Sequence, residues 1–379
     1  MKIKKSRINF TALLIAVLLF VVLQPYFIWH ISPMLKLFLL ASPSLLLVNK
    51  IEYRYFFIFF LILLFGVLVQ RLSVIYSIYL LSFVFVPFTK KTFAATIYRY
   101  FKTIIASIFL FSLIQWLLFW IGIGFPSIFL EPLTEMKQYD YTAYLPFLVV
   151  PNLLIESFRF LSVFDEPGVV GTISLLLLYI EGYQLKNFEN LIILIAGICS
   201  FSFFFILGSL LFLFVKLIFR RPVILFIIIP LMLSFYTLTK DNEVLYDLVY
   251  SRMEWDKSSG SFSGDNRATD NFKQYYNSIK GTSGYYFGVG EKALAYHNDG
   301  GYGYRNVVLR YGFIFCALYV IFFLFYAKKN NLSRQNFCFF AIMFLATLYQ
   351  RPNMLDAAYL FLFTQYINNH SPYNKRIYA

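Results

Sequence analysis

From Ile8 to near its end the chain is a succession of apolar runs, many of them about eighteen residues or more with almost no charge. Runs of that length are too long for core strands and suit helices that cross a bilayer. With hydrocarbon as solvent, every backbone N–H and C=O must find its partner inside the segment, so each run is expected to be helix. Composition agrees, with 60% hydrophobic and only 14% charged residues. The expected class is all-α: one polytopic integral membrane domain over residues 1–379, with about twelve transmembrane helices, in a range of about eleven to thirteen.

The net charge of +14 raises nucleic acid as a partner, but its distribution excludes it. The bases sit in short connections, at Lys50/Arg54, Lys90/Lys91/Arg99/Lys102, Lys186, Arg220/Arg221, Lys328/Lys329/Arg334 and Lys375/Arg376, and read as positive-inside signals. Lys2, Lys4, Lys5 and Arg7 precede the first run, and Gln24-Pro25-Tyr26 is a poor cleavage site, so that run is expected to be an uncleaved first span. Cys199, Cys316 and Cys338 lack paired spacing, so neither a disulfide framework nor a metal site is expected.

The expected spans are Ile8–Ile28, Ile31–Val48, Tyr55–Val69, Leu72–Phe88, Thr103–Phe125 and Gly168–Tyr183. The connection from Glu131 to Glu166 holds six acids and two bases, net −4, and belongs outside. The run Asn190–Phe219 needs a break near Ser200-Phe201-Ser202 if Lys216, Arg220 and Arg221 are to be cytoplasmic, giving a short seventh and a longer eighth span. Pro222–Leu238 follows, then a polar insert over residues 240–304, then Asn306–Tyr326, a span ending by Tyr349, and Met354–Ile367, with both termini cytoplasmic. Lys240 to Asp299 carries seven bases and nine acids, net −2, which leaves +16 for the rest, so the insert is an external loop between spans nine and ten.

Within the insert, Phe272, Tyr275/Tyr276 and Ile279 mark a short amphipathic helix, with Asp265 as its N-cap, Arg267 in its first turn and Gly281 as its stop. Gly288-Val289-Gly290 is a tight turn that allows close backbone approach, with Asp299 farther along the same loop. Arg71, Arg159, Arg252, Arg267, Arg305, Arg310 and Arg351 all fall on the external side, where the positive-inside tendency predicts few. They either snorkel and pair with nearby carboxylates or bind an anion, and the planar guanidinium fork suits phosphate oxygens. Glu166-Pro167 opens a span and either caps it or orients a hydroxyl; His297 is either an incidental loop residue or a base. The insert's aromatics, including Tyr250, Trp255, Phe272, Tyr285 and Tyr296, are either its core and interfacial belt or faces for stacking on sugars.

Arg159, Phe164-Asp165-Glu166-Pro167-Gly168, Ser200-Phe201-Ser202, Ser263-Gly264 with Arg267, Gly288-Val289-Gly290, His297-Asn298-Asp299-Gly300-Gly301-Tyr302 and Tyr311-Gly312 follow one another in a way that resembles the Wzy-type polymerases of lipid-linked repeat units for O-antigen and capsular polysaccharide, relatives of the O-antigen ligases. The resemblance implies a metal-independent glycosyltransferase without cofactor, working at the outer face of the bacterial cytoplasmic membrane on undecaprenyl-diphosphate-linked oligosaccharide, with a chain-length regulator protein as partner. It implies that Arg159, Arg252, Arg267 and Arg305 neutralise the leaving diphosphate, and that Glu166 or His297 orients or deprotonates the acceptor hydroxyl. A ligase reading remains open, since His297-Asn298 matches the His-Asn pair of ligases, although the Gly/Tyr-rich run to Tyr311-Gly312 is longer than in ligases. A lipid-linked oligosaccharide flippase is the rival from another class; the concentration of charge at one membrane face argues against it.

Overall fold

A computed structural model of the protein describes residues 9–29, 31–32, 35, 47, 50–70, 85–131, 140–152, 158–220, 230, 234, 237, 255–256, 261–262, 270–290, 303–350 and 355–372. The expected spans Ile31–Val48, Leu72–Phe88 and Pro222–Leu238 lie largely outside the described residues, as do Arg252, Asp265, Arg267, His297 and Asp299.

The architecture is mostly helical. In order, the helices are α1 (Phe10–Val22), α2 (Tyr53–Gln70), α3 (Lys91–Trp120), α4 (Pro167–Ile180), α5 (Phe188–Cys199), α6 (Phe203–Arg220), α7 (Asp270–Ser278), α8 (Ser283–Phe287), α9 (Tyr304–Tyr311), α10 (Phe313–Lys329), α11 (Arg334–Gln350) and α12 (Ala357–His370). Between α3 and α4 lie β1 (Ser127–Leu130), β2 (Tyr141–Tyr144) and β3 (Leu148–Pro151), and ahead of α7 a short pair, β4 (Trp255–Asp256) and β5 (Ser261–Phe262). Helix α3, at 30 residues, is about 45 Å long. Among the described helices it alone is by itself long and apolar enough to cross a membrane; α9 and α10 pass only as a pair bent by 115°. Helices α1, α4 and α5, of 13, 14 and 12 residues, run about 18–21 Å, short of the roughly 30 Å hydrocarbon core.

The centre is built from α4 and α12, whose side chains are buried on every face, as expected of helices wrapped by other helices. Helix α4 packs against α5, α6 and α12, α3 against α1 and α5, and α10 against α2. Glycines set how closely α4 and α6 approach. A Cβ at Gly171 would meet Ser202, and one at Gly208 would meet Leu175. At the same crossing the Tyr179 hydroxyl donates to Gly208 O at 2.8 Å.

Lys102 lies near the base-rich end of α3, which the sequence reading expects on the cytoplasmic side, and the structure gives it another task. It is buried, and its Nζ lies 3.2 Å from Glu181 and 3.1 Å from Glu189. The Thr103 hydroxyl adds a 2.7 Å bond to Glu189. One cation therefore ties α3 to the end of α4 and the start of α5.

Two features depart from the sequence expectation. The acidic connection after α3 contains an antiparallel sheet in the order β1-β2-β3, with Ser127 opposite Tyr144 and Tyr141 opposite Pro151. Its strands of four residues are too short for alternation to register as a signal. Polar side chains on α3 hold it down: Gln115 Nε2 donates to Tyr144 O and Leu145 O, its Oε1 accepts from Phe147 N, and Ser112 Oγ donates to Phe147 O. The expected continuous span Asn306–Tyr326 is instead a corner. Gly312 adopts φ 85° and ψ 155°, which only glycine visits readily, and it ends α9 and starts α10. The break expected at Ser200-Phe201-Ser202 is present between α5 and α6.

Two outcomes follow for thermal or chemical unfolding in detergent. Lys102→Met leaves two largely buried carboxylates facing each other and should destabilise the fold by about 3–5 kcal/mol. Gly312→Ala forces a Cβ against Tyr286 O and Phe287 in a strained backbone and should lower the midpoint clearly, whereas Gly124→Ala, with open space around it, should leave it unchanged.

Candidate functional site

Sequence-predicted residues gather in two places. The first is the loop from Phe158 to Glu166. It is fastened by backbone bonds from Phe160 N to Cys199 O (3.0 Å), from Tyr26 N to Val163 O (2.8 Å) and from Val149 N to Ser162 O (2.8 Å), and by the Tyr141 hydroxyl donating to Asp165 O (2.9 Å). Ser162 takes φ 55°, and its hydroxyl lies 2.8 Å from that of Ser112 on α3. A loop anchored at this many points presents its side chains from a rigid base.

Arg159 reaches from this loop to the break between α5 and α6. Its Nε donates to Ser200 O at 3.2 Å and its Nη2 to Phe201 O at 3.3 Å. The last carbonyls of a helix have no intrahelical donor, and here the guanidinium supplies one. The sequence offered snorkelling, pairing with a carboxylate or anion binding for Arg159; capping a broken helix is a further role that composition could not reveal.

Glu166 is the N-cap of α4, with Pro167 as the first helical residue. The simple capping role fails in its usual form, because the side chain makes no capping hydrogen bond. The carboxylate therefore stands at the start of α4, on the loop that also carries Arg159.

The second place is the junction of the insert with α9. Arg305 is only 6% exposed. Its guanidinium carbon lies 5.9 Å from the Tyr276 ring centre and 5.3 Å from that of Tyr304. Tyr304 stacks on Tyr349 at 5.5 Å, and Tyr285 on Phe313 at 5.5 Å. Phe272, Tyr276, Val308 and Leu309 close a small core beneath them. Burial raises the Tyr276 phenol above its ordinary range, with the neighbouring Tyr285 and Tyr304 adding to the shift and Arg305 opposing it, so the phenol stays a neutral donor.

Gly288 (φ 88°) and Gly290 (φ 78°) form the expected tight turn, and its use is structural: Val289 N donates to Leu309 O at 2.8 Å and seats the insert on α9. Arg305 thus joins Gly288 and Gly290 around α9, whereas Arg159 and Glu166 belong to the loop packed on α4 and α5. Tyr304 and Tyr349 were not singled out in the sequence, since they are far apart in the chain and stand outside the insert's helical stripe. Among the described residues no group of three or more His, Cys, Asp or Glu side chains could hold a metal ion.

The chain matches no protein-family model, no curated protein and no solved structure.

The two arginines should separate on substitution. Arg159→Met removes both bonds to the broken helix and should destabilise the protein by about 2 kcal/mol. Arg305→Lys keeps the charge but loses the planar face against two tyrosines, and should lower stability by about 1 kcal/mol. Denaturant titration of both variants in detergent reads each effect.

Proposed function

We propose that the chain is a multi-pass glycosyltransferase of the bacterial cytoplasmic membrane, with about twelve spans. It extends a polysaccharide at the outer face by moving a growing glycan from undecaprenyl diphosphate onto a new lipid-linked repeat unit. The observation that carries this reading is Arg159, a guanidinium fixed at the break of two apolar helices, on the same loop as a carboxylate that its helix does not use as a cap. A cation and a carboxylate held at helix ends on the external side of the charge pattern suit a reaction in which an anionic leaving group departs while a hydroxyl is deprotonated.

In this reading the bond between the sugar's anomeric carbon and the diphosphate oxygen breaks as the acceptor hydroxyl attacks that carbon. Negative charge grows on the diphosphate, and Arg159, with Arg252 and Arg267 of the insert, stabilises it. The acceptor's proton passes to Glu166 or His297. Arg305, held between tyrosine rings, supports the insert beside this site; it contacts the diphosphate only if that aromatic cage opens.

Purified protein in lipid nanodiscs, given a synthetic polyprenyl-diphosphate repeat unit without added metal, should produce a ladder of polymers. Arg267→Ala and Arg159→Ala should abolish the ladder while the protein still inserts in the membrane. A wild-type protein that makes no ladder from its cognate substrate sinks the assignment, and full activity in both variants removes the diphosphate role.

A further inference from the structure

The three-stranded sheet stands where the charge pattern calls for an external connection, and a sheet there is ordinarily a cap in water. Its surroundings say otherwise. The chain has no charged residue from Thr103 through Leu130, so the apolar run outlasts α3 by ten residues and continues through β1. Along α3 the outward side chains are Phe111, Ile114, Leu117 and Trp120, and beyond its end the exposed apolar surface continues as Ile121, Ile123, Ile128 and Phe129. Ile121 is 77% and Phe129 61% exposed, far beyond what packing alone would leave in water on so apolar a segment.

Depth follows from the hydrogen bonds. Gln115 and Ser112 lie five and eight residues before Trp120, about 7 and 12 Å along the helix below its end. Gln115 binds the carbonyls of Tyr144 and Leu145 and the amide of Phe147, and Ser112 binds Phe147 O. Leu145 N is met by Pro126 O at 2.9 Å. The β2–β3 turn therefore reaches down beside α3 with these backbone groups satisfied by protein, the condition under which irregular backbone is tolerated at membrane depth. Phe147 then lies stacked on the exposed Phe111, with ring centres 5.7 Å apart, on the outward side of the helix.

We infer that the sheet is sunk into the outer boundary of the bilayer, with its turn below the headgroups and the strip from Ile121 to Phe129 in contact with lipid. This rests on α3 crossing the membrane. β1 is an edge strand, and an open edge does not occur within hydrocarbon, so β1 belongs at the headgroup level, where water still reaches its backbone while its side chains enter the acyl region. The consequence bears on the site. Val149 and Tyr141 of the sheet hold Ser162 and Asp165 of the loop that carries Arg159 and Glu166, so a sunken sheet carries that loop down with it.

The test is a depth measurement on full-length protein in nanodiscs, with Cys199, Cys316 and Cys338 replaced by alanine and a fluorophore on single cysteines. Ile121→Cys and Phe129→Cys replace exposed side chains and leave the packing intact; Ile114→Cys reports the membrane face of α3, and Asn277→Cys an exposed insert position. The labels at 121 and 129 should lose fluorescence to lipids bearing a nitroxide near the headgroup and resist iodide, while the label at 277 is quenched by iodide. Iodide quenching of 121 and 129 as strong as at 277, with 114 still quenched by lipid, overturns the sunken sheet and leaves the membrane reading standing. Protection of 121 and 129 from both quenchers would assign the strip to a protein partner and also overturns it. Failure of lipid to quench 114 removes the membrane-crossing premise itself.

Discussion

Backbone groups at the ends and breaks of apolar helices need partners, and in an apolar setting water does not supply them. That constraint organises the loops that carry Arg159 and the sheet. The carbonyls at the end of α5 are met by Arg159 and by Phe160 N, the turn between β2 and β3 by Gln115 and Ser112, and the turn after α8 by Leu309 O. Each of these bonds also fastens a piece of non-helical chain to a helix. The same interactions that make the breaks tolerable therefore fix the loops that could carry chemistry.

How much of this was legible in the sequence depended on length scale. Long apolar runs predict helices, and among the described residues most of those runs are helical, with the break at Ser200–Ser202 placed by counting the side on which Lys216, Arg220 and Arg221 must fall. Gly312 escaped that logic because a glycine within an apolar run is ordinary in a membrane helix, and only the approach of Tyr286 and Phe287 makes the corner obligatory. The sheet escaped because its pairings span few residues and its anchor is a glutamine and a serine in the middle of a run otherwise read as a membrane span. Of the candidate site, the types and order of residues were legible. What Arg159 and Arg305 touch was not, because both roles are made by residues distant in sequence.

Those two arginines show why residue type alone could not separate structural from functional cations. Arg159 donates to carbonyl oxygens, the negative ends of peptide dipoles. Arg305 is sandwiched against tyrosine faces in a small aromatic core, where its charge is held by ring quadrupoles and its access to a ligand is limited by burial.

The separation has a structural logic. Arg305 and the turn at Gly288-Val289-Gly290 build the joint that seats residues 283–290 on α9, next to the helix corner at Gly312. Arg159 and Glu166 sit on a loop braced by α3, the sheet and the first segment of the chain through Tyr26.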